Sequence, residues 1–219
     1  MPRTRRHIFA GTVYHVLNRG NERAQIFHNP NDYNGFLRLM EKAALRVPMR
    51  VIGFDLMPNH EHLLLWPEDD KAISAYMKWL TGTHALQHRS KYGTTGSGHV
   101  YQGRFSCFPV QTETYYYTCL SYVEGNALRA GLVERAEHWP WSSLYERVHG
   151  GCILTPGPLQ LPENWLDIVN IGPNAVELSD LRVCARGGRP YGQTEWTERA
   201  AARHGIESRV RPRGRPHGK

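Results

Sequence analysis

The strongest constraint on the fold of this chain is a turn dipeptide set between two apolar segments. Residues 50–57 and 61–66 are both rich in aliphatic and aromatic side chains, and Pro58-Asn59 lies between them. Pro and Asn favour a turn, and short apolar runs bounded by turn residues are typical of strands. We therefore predict a β-hairpin over this part of the chain.

The segments around the hairpin alternate between strand and helix patterns. Residues 13–18 and 100–110 predict strands, and apolar residues at helical spacing predict three helices. The order β-α-β-β-α-β-α is that of the split βαβ of the ferredoxin-like fold with one helix added. We therefore predict an α+β fold in which helices cover one face of an antiparallel sheet. The three helices are expected from Asn31 or Asp32 to before Pro48, from Ile73 to about Arg89, and from Thr112 to Asn126.

The alternating pattern weakens after residue 149. Residues 155–158 read Thr-Pro-Gly-Pro, which is typical of a loop, and only Glu195–His204 has clear helical character. We therefore divide the chain into a domain at 1–149 and a small accessory C-terminal region with a basic tail at 150–219.

The composition excludes several classes of protein. Apolar residues make up 40% of the 219 residues, which is enough for a core, so wholesale disorder is excluded. No apolar run approaches the ~18 residues of a membrane span, and no signal-peptide core follows Arg3, Arg5 and Arg6. The cysteines show no C-x-x-C pair, so we expect reduced thiols in a cytoplasmic protein.

The charge balance points to a polyanionic partner. Lys and Arg outnumber Asp and Glu by 27 to 20, a formal net charge of +7. Basic proteins bind nucleic acids because each neutralised phosphate releases condensed counterions. Much of the excess lies between Arg203 and Lys219, and a basic tail of this kind is equally compatible with a solubilising extension.

The sequence His60-Glu61-His62 follows the predicted turn. Alternate side chains of a strand share a face, so the two imidazoles point the same way and Glu61 points to the opposite face. Such a pair can hold a divalent metal and leave positions open for a phosphate oxygen. The chain has 12 His, however, so a chance pair without a metal remains an alternative.

Tyr122 and Asn126 are four residues apart in the third predicted helix. Residues at this spacing lie on one helical face, so a hydroxyl and an amide oxygen could approach the same metal. Aromatic packing of Tyr122 and a helix cap at Asn126 are the alternatives.

Two further segments, 18–23 and 101–105, combine Arg with amide or aromatic side chains. Arg binds phosphates or guanine, Asn reads adenine, and aromatic rings stack on unpaired bases. We expect nucleic-acid contacts here, although surface ion pairs of Arg19 or Arg23 and a bulge at Gly103 explain the same residues.

Together these segments resemble the REP-associated tyrosine transposases, which belong to the single-tyrosine HUH superfamily of IS200-like transposases. The matching blocks occur in the expected order within residues 1–149, and the tail resembles family tails. The blocks are Tyr14-His15-Val16, Asn18-Arg19-Gly20-Asn21, Met57-Pro58-Asn59-His60-Glu61-His62-Leu63-Leu64, Gln102-Gly103-Arg104-Phe105, and residues 122–133, with 188–190 and 211–216 in the tail.

The resemblance implies a metal-dependent endonuclease and strand transferase, a transposase acting on single-stranded, hairpin-forming repeat DNA. Tyr122, on the extra catalytic helix, would be the nucleophile and would form a 5′-phosphotyrosyl intermediate. His60, His62 and Asn126 would hold Mg²⁺ or Mn²⁺. The candidate DNA-binding residues are Arg19, Asn21, Arg23, Gln102, Arg104, Arg129, Arg211, Arg213 and Arg215.

The resemblance also suggests a monomer associated with the nucleoid. The chain departs from the family pattern at Glu61, where an apolar residue is usual, and at Ala127, where Pro is usual. Two other functions remain open: a catalytically inactive module that binds hairpin DNA or RNA, and an RNA-processing or replication-initiation enzyme with the same HUH chemistry.

Overall fold

Four antiparallel strands form the central sheet of the chain. The strands are β1 (Val13–Arg19), β2 (Arg50–Met57), β3 (His60–Trp66) and β4 (Ser106–Val110). The computed structural model describes residues 7–96 and 98–210, and the strand order is β2-β3-β1-β4. β3 therefore lies between β1 and β2, as a split βαβ arrangement requires. The predicted α+β fold with an antiparallel sheet is confirmed.

Two long helices, α1 (Pro30–Arg46) and α2 (Ala72–Tyr92), cover one face of this sheet. The cap of α1 is Asn29, rather than the predicted Asn31 or Asp32. The Asn29 side chain accepts from the backbone of Asn31, and the Asp32 side chain accepts from the backbone of Asn29. This capping box fixes the start of α1 with Pro30 in the first turn.

The opposite face is covered by shorter helices, so the expectation of helices on one face is wrong. These helices are α3 (Thr114–Glu124), α4 (Asn126–Arg129) and α5 (Ser143–His149). Leu120 of α3 packs so closely on the sheet that a Cβ at Gly53 would lie 2.4 Å from its side chain. The strands are therefore buried on both faces, and consecutive residues 63–65 of β3 are all leucine because neither face meets solvent there.

The C-terminal region contains three helices where the sequence predicted one. They are α6 (Trp165–Ile171), α7 (Ala175–Gly187) and α8 (Thr194–His204). Helices α6 and α7 each bury only two side chains, which left too weak an apolar stripe to recognise. Leu181 and Cys184 of α7 pack with Phe108 of β4 in one core cluster. The region after residue 149 is thus packed directly on the sheet.

Two predicted segments end differently in the structure. The strand expected at 100–110 is shortened, because residues 100–105 form a loop tied to β1 through a bridge between Gly20 and Tyr101. The helix expected at 112–126 breaks at Gly125 into α3 and α4. Among the described residues, no helix has the length and apolarity needed to cross a membrane.

Candidate active site

The predicted site residues meet in one cavity of about 590 Å³ on the α3 face of the sheet. His60, His62, Tyr122 and Asn126 all line it. β3 supplies the two histidines, α3 supplies the tyrosine, and Asn126 begins α4. Of the predicted DNA-binding residues, four line the same cavity: Arg19, Arg23, Gln102 and Arg104.

The other predicted DNA-binding residues lie elsewhere. Asn21 is outside the cavity lining, and its backbone N–H donates to the carbonyl of Val100. Arg129 packs beneath the cavity against Tyr122. Arg211, Arg213 and Arg215 lie outside the described residues.

The two histidines converge because they alternate along β3. Their ring centroids are 4.9 Å apart, and the His62 ring lies 5.8 Å from the ring of Tyr122. Glu61, between them, points to the opposite face and is fully buried beside the Asn18 side chain. The two faces of β3 thus separate a polar site from the core, as the strand period predicts.

The hydrogen bonds of Asn59 determine which nitrogen of His60 faces the cavity. The Asn59 Nδ2 donates to the carbonyl of Arg23 at 3.0 Å, so the Oδ1 must be the atom that lies 2.6 Å from the His60 Nδ1. An amide oxygen only accepts, so the His60 Nδ1 carries the proton and its Nε2 keeps a lone pair.

A compact turn holds the Arg23 carbonyl in place. Glu22 and Arg23 both adopt left-handed backbone conformations there. A Cβ at Gly20 would lie 2.2 Å from the Ala24 carbonyl oxygen, so the turn admits only glycine at this position without moving. The turn over residues 20–24 therefore has two roles. It places Arg19 and Arg23 at the cavity, and its Arg23 carbonyl holds the Asn59 side chain that contacts His60.

His62 is oriented by a third imidazole, which sequence reasoning placed in a matching block without a role. The His15 Nε2 lies 2.8 Å from the His62 Nδ1, and both rings are buried. This bond occupies the Nδ1 of His62 and leaves its Nε2 for another partner. His15 lies on β1, and alternation along that strand was the signal that could have placed it on the same face.

Both candidate ligands are held as neutral imidazoles. Burial, together with the nearby Arg19 charge, lowers the pKa of His60 to about 4. Burial lowers the pKa of His62 well below its usual range, with His60 and His15 adding to the shift. Neutral imidazole is the form that binds metal ions.

Tyr122 is packed between the histidines and Arg129. The Arg129 guanidinium lies over the phenol ring, with its Cζ 4.4 Å from the centroid, and donates to the Tyr122 carbonyl. Burial raises the pKa of Tyr122, and the charge of Arg129 opposes that rise. Arg129 therefore favours any negative charge that develops on the phenol oxygen.

Arg129 also contacts Asn126. Its Nη2 donates to the Asn126 Oδ1 at 3.2 Å, while the Asn126 Nδ2 is buried without a hydrogen-bond partner. The residue that replaces the family's usual Pro, Ala127, uses its N–H to donate to Asp55 at 3.3 Å. The Asp55 carboxylate thus satisfies a backbone donor that Pro would lack.

The arrangement fits a divalent cation. Within 7–96 and 98–210, no three His, Cys, Asp or Glu side chains form a group that could hold a metal. The Asn126 Oδ1 keeps a second lone pair beyond its bond to Arg129, and its buried, unpartnered Nδ2 leaves the amide incompletely satisfied. Two neutral imidazoles and one amide oxygen form a reasonable donor set.

Three residues of the cavity lining come from the C-terminal region and were not predicted from the sequence: Arg182, Ala185 and Arg186. Arg182 and Arg186 are the charged residues that α7 contributes to this lining. No local signal marked them, because α7 itself was not predicted.

Comparison with known proteins identifies the family of the chain. The sequence profile described as "Transposase IS200 like" matches residues 9–126, just over half of the chain. The chain belongs to the IS200-like transposase family. A relative from Haemophilus influenzae, provisionally named a REP-associated tyrosine transposase, is 26% identical over 129 residues, which cover 53% of this chain and 72% of the relative.

A solved structure has a fold similar to that of this IS200-like transposase. The structure of a REP-associated tyrosine transposase bound to a REP hairpin aligns with a TM-score of 0.55 at 20% sequence identity. The alignment covers 74% of this chain and 96% of that chain, so the two proteins share the fold.

Proposed function

We propose that this IS200-like transposase cleaves and rejoins single-stranded, hairpin-forming DNA. The observation that carries the proposal is the meeting of His60, His62, Tyr122 and Asn126 in one cavity lined by arginines. A nucleophile, a set of metal ligands and a cationic wall are the parts that phosphoryl transfer requires.

His60, His62 and Asn126 would hold Mg²⁺ or Mn²⁺, and Mn²⁺ accepts imidazole ligands the more readily. The ion would polarise the phosphodiester and neutralise charge that develops on its oxygens. His15 and Asn59 keep the two imidazoles oriented toward the cavity.

Tyr122 acts as the nucleophile. Its phenol oxygen forms a bond to phosphorus, and the bond from phosphorus to the 3′ oxygen breaks. The phenol proton passes to water, and the leaving 3′ oxygen takes a proton from water. The products are a 5′-phosphotyrosyl linkage and a free 3′-hydroxyl. Attack by a 3′-hydroxyl reverses these steps and rejoins strands without a nucleotide cofactor, because the ester is conserved.

A phenol with a raised pKa is a weak nucleophile at neutral pH, so the site must compensate. Arg129 stabilises the developing phenolate through its position over the ring. Arg19, Arg23 and Arg104 bind the backbone of the strand and hold the scissile phosphate near the phenol.

A strand-cleavage assay tests this function. An end-labelled single-stranded hairpin oligonucleotide is incubated with Mn²⁺ and the wild-type protein, Tyr122→Phe, His60→Ala or His62→Ala. We expect cleavage by the wild type only. Hairpin binding without cleavage by the wild type would contradict the nuclease proposal and leave the binding module as the function.

A further inference from the structure

The arginines of α7 form a charged surface that no salt bridge neutralises within residues 7–96 and 98–210. Arg182 and Arg186 are four residues apart, both are exposed, and both line the cavity that contains Tyr122. Like charges at this spacing lie on one helical face and destabilise a helix. The helix therefore carries an unfavourable pair at the position nearest the site.

Acidic residues are absent from this surface. The cavity lining among the described residues contains five arginines and no Asp or Glu. The two acidic side chains of α7 are used elsewhere: Glu177 completes the capping box with Asn174, and Asp180 lines a different cavity beside Tyr115. Neither Arg182 nor Arg186 forms a salt bridge within the described part of the chain.

The charge of Arg182 also acts on the catalytic groups. It opposes the rise in the pKa of Tyr122 and disfavours the charged form of Arg129. The guanidiniums of Arg182 and Arg129 thus repel each other near the phenol in the free protein. An anion placed between them would relieve this repulsion, and the proposed substrate is a polyanion.

We infer that Arg182 and Arg186 bind the DNA phosphates that flank the one attacked by Tyr122. The inference rests on the proposed function, and it adds α7 to the DNA-binding site of the protein. It makes α7, which lies beyond the residues matched by the family profile, a wall of the DNA cleft.

The inference predicts opposite effects on binding and stability. Removing an arginine that stabilises the fold lowers the stability of the protein. Removing an unpaired arginine that binds DNA lowers the affinity for DNA and leaves the stability of the protein unchanged or higher. We therefore expect Arg182→Gln with Arg186→Gln to bind DNA roughly tenfold or more weakly, with a salt slope smaller by about two. We expect its melting temperature to be unchanged or raised.

The experiment measures binding alone. A fluorescent single-stranded hairpin with flanking nucleotides is titrated in EDTA at several salt concentrations with Tyr122→Phe protein, with or without the α7 substitutions. Arg199→Gln is the matched control, because Arg199 is an exposed arginine on α8 that lies outside the cavity. Arg182→Lys with Arg186→Lys should restore most of the salt slope, because charge rather than shape is required.

An unchanged affinity and salt slope in the double glutamine variant would overturn the inference. It would also be overturned if the double glutamine and double lysine variants both bound DNA weakly and both had lower melting temperatures than the parent protein. These outcomes are separate from the proposed function. If the wild type cleaves DNA while the glutamine variant binds normally, only the role of α7 is lost. If binding depends on the two arginines but no cleavage occurs, the role of α7 stands and the nuclease proposal is lost.

Discussion

The Asn59 Oδ1 lies 2.6 Å from the His60 Nδ1, and the amide that supplies it is fixed by the Arg23 carbonyl. The contact selects the ring tautomer with its proton on Nδ1, although free imidazole side chains favour Nε2. The contact thus orients His60, the proposed metal ligand, before any metal binds. Ligands oriented by a second layer of hydrogen bonds bind metal more tightly than unsupported ones.

Asn59→Ala should change the tautomer of His60 and weaken metal binding. We expect the long-range nitrogen-proton NMR spectrum of the metal-free protein to show His60 protonated on Nδ1 in the wild type and mainly on Nε2 in the variant. Mn²⁺ affinity should fall by ~10 to 100-fold in calorimetry. Asn31→Ala, at an exposed amide of α1, is the control. An Nε2-protonated His60 in the wild type would contradict this account.

Arg129→Lys should slow strand cleavage while hairpin binding persists. Lysine keeps the charge but lacks the planar group that covers the Tyr122 ring and donates to Asn126. We expect the rate of the covalent step to fall by ~10 to 100-fold, because small displacements of reacting groups have effects of this size. Arg135→Lys, in a surface ion pair with Glu137, is the control. An unchanged single-turnover rate would show that Arg129 positions neither Tyr122 nor Asn126.

Glu61→Gln should stabilise the protein at alkaline pH. Burial of the Glu61 carboxyl raises its pKa well above its usual range, and hydrogen bonds from its own backbone N–H and from the Asn18 side chain oppose the rise. The folded state therefore holds this proton more tightly than the unfolded state, so stability falls as pH rises above the usual carboxyl pKa. The variant should gain roughly 1 to 3 kcal/mol at pH 8.

The gain should disappear near pH 4, where the wild-type carboxyl is protonated. Urea unfolding at both pH values measures the difference, with Glu198→Gln on the exposed surface of α8 as control. Equal stabilisation at both pH values would show that the charge of Glu61 is not its cause.

Local sequence patterns predicted most of the structural features that lie within a single strand, hairpin or helix. The hairpin and the shared face of His60 and His62 follow from a turn dipeptide and the period of a strand. Tyr122 and Asn126 were expected on one continuous helix, which breaks at Gly125 in the structure. Both residues still line one cavity, because α4 begins where α3 ends.

Contacts between distant segments could not be predicted from local patterns. The bond between His15 and His62 depends on which strands pair, and strand order is a property of the whole sheet. Arg182 and Arg186 reach the cavity only because α7 packs on β4 through Leu181 and Cys184. Two buried residues in a helix give too weak a periodic signal to reveal either the helix or its partner.

The central claim about this protein is that Tyr122 is the nucleophile that attacks the DNA strand. The wild-type protein should be incubated with Mn²⁺ and a single-stranded hairpin, denatured, digested with protease and nuclease, and analysed by mass spectrometry. We predict a nucleotide mass on the peptide that contains Tyr122, with fragment ions that place it on that residue, and no such mass for Tyr122→Phe. A nucleotide mass on another residue, or an equal yield from Tyr122→Phe, would contradict the account.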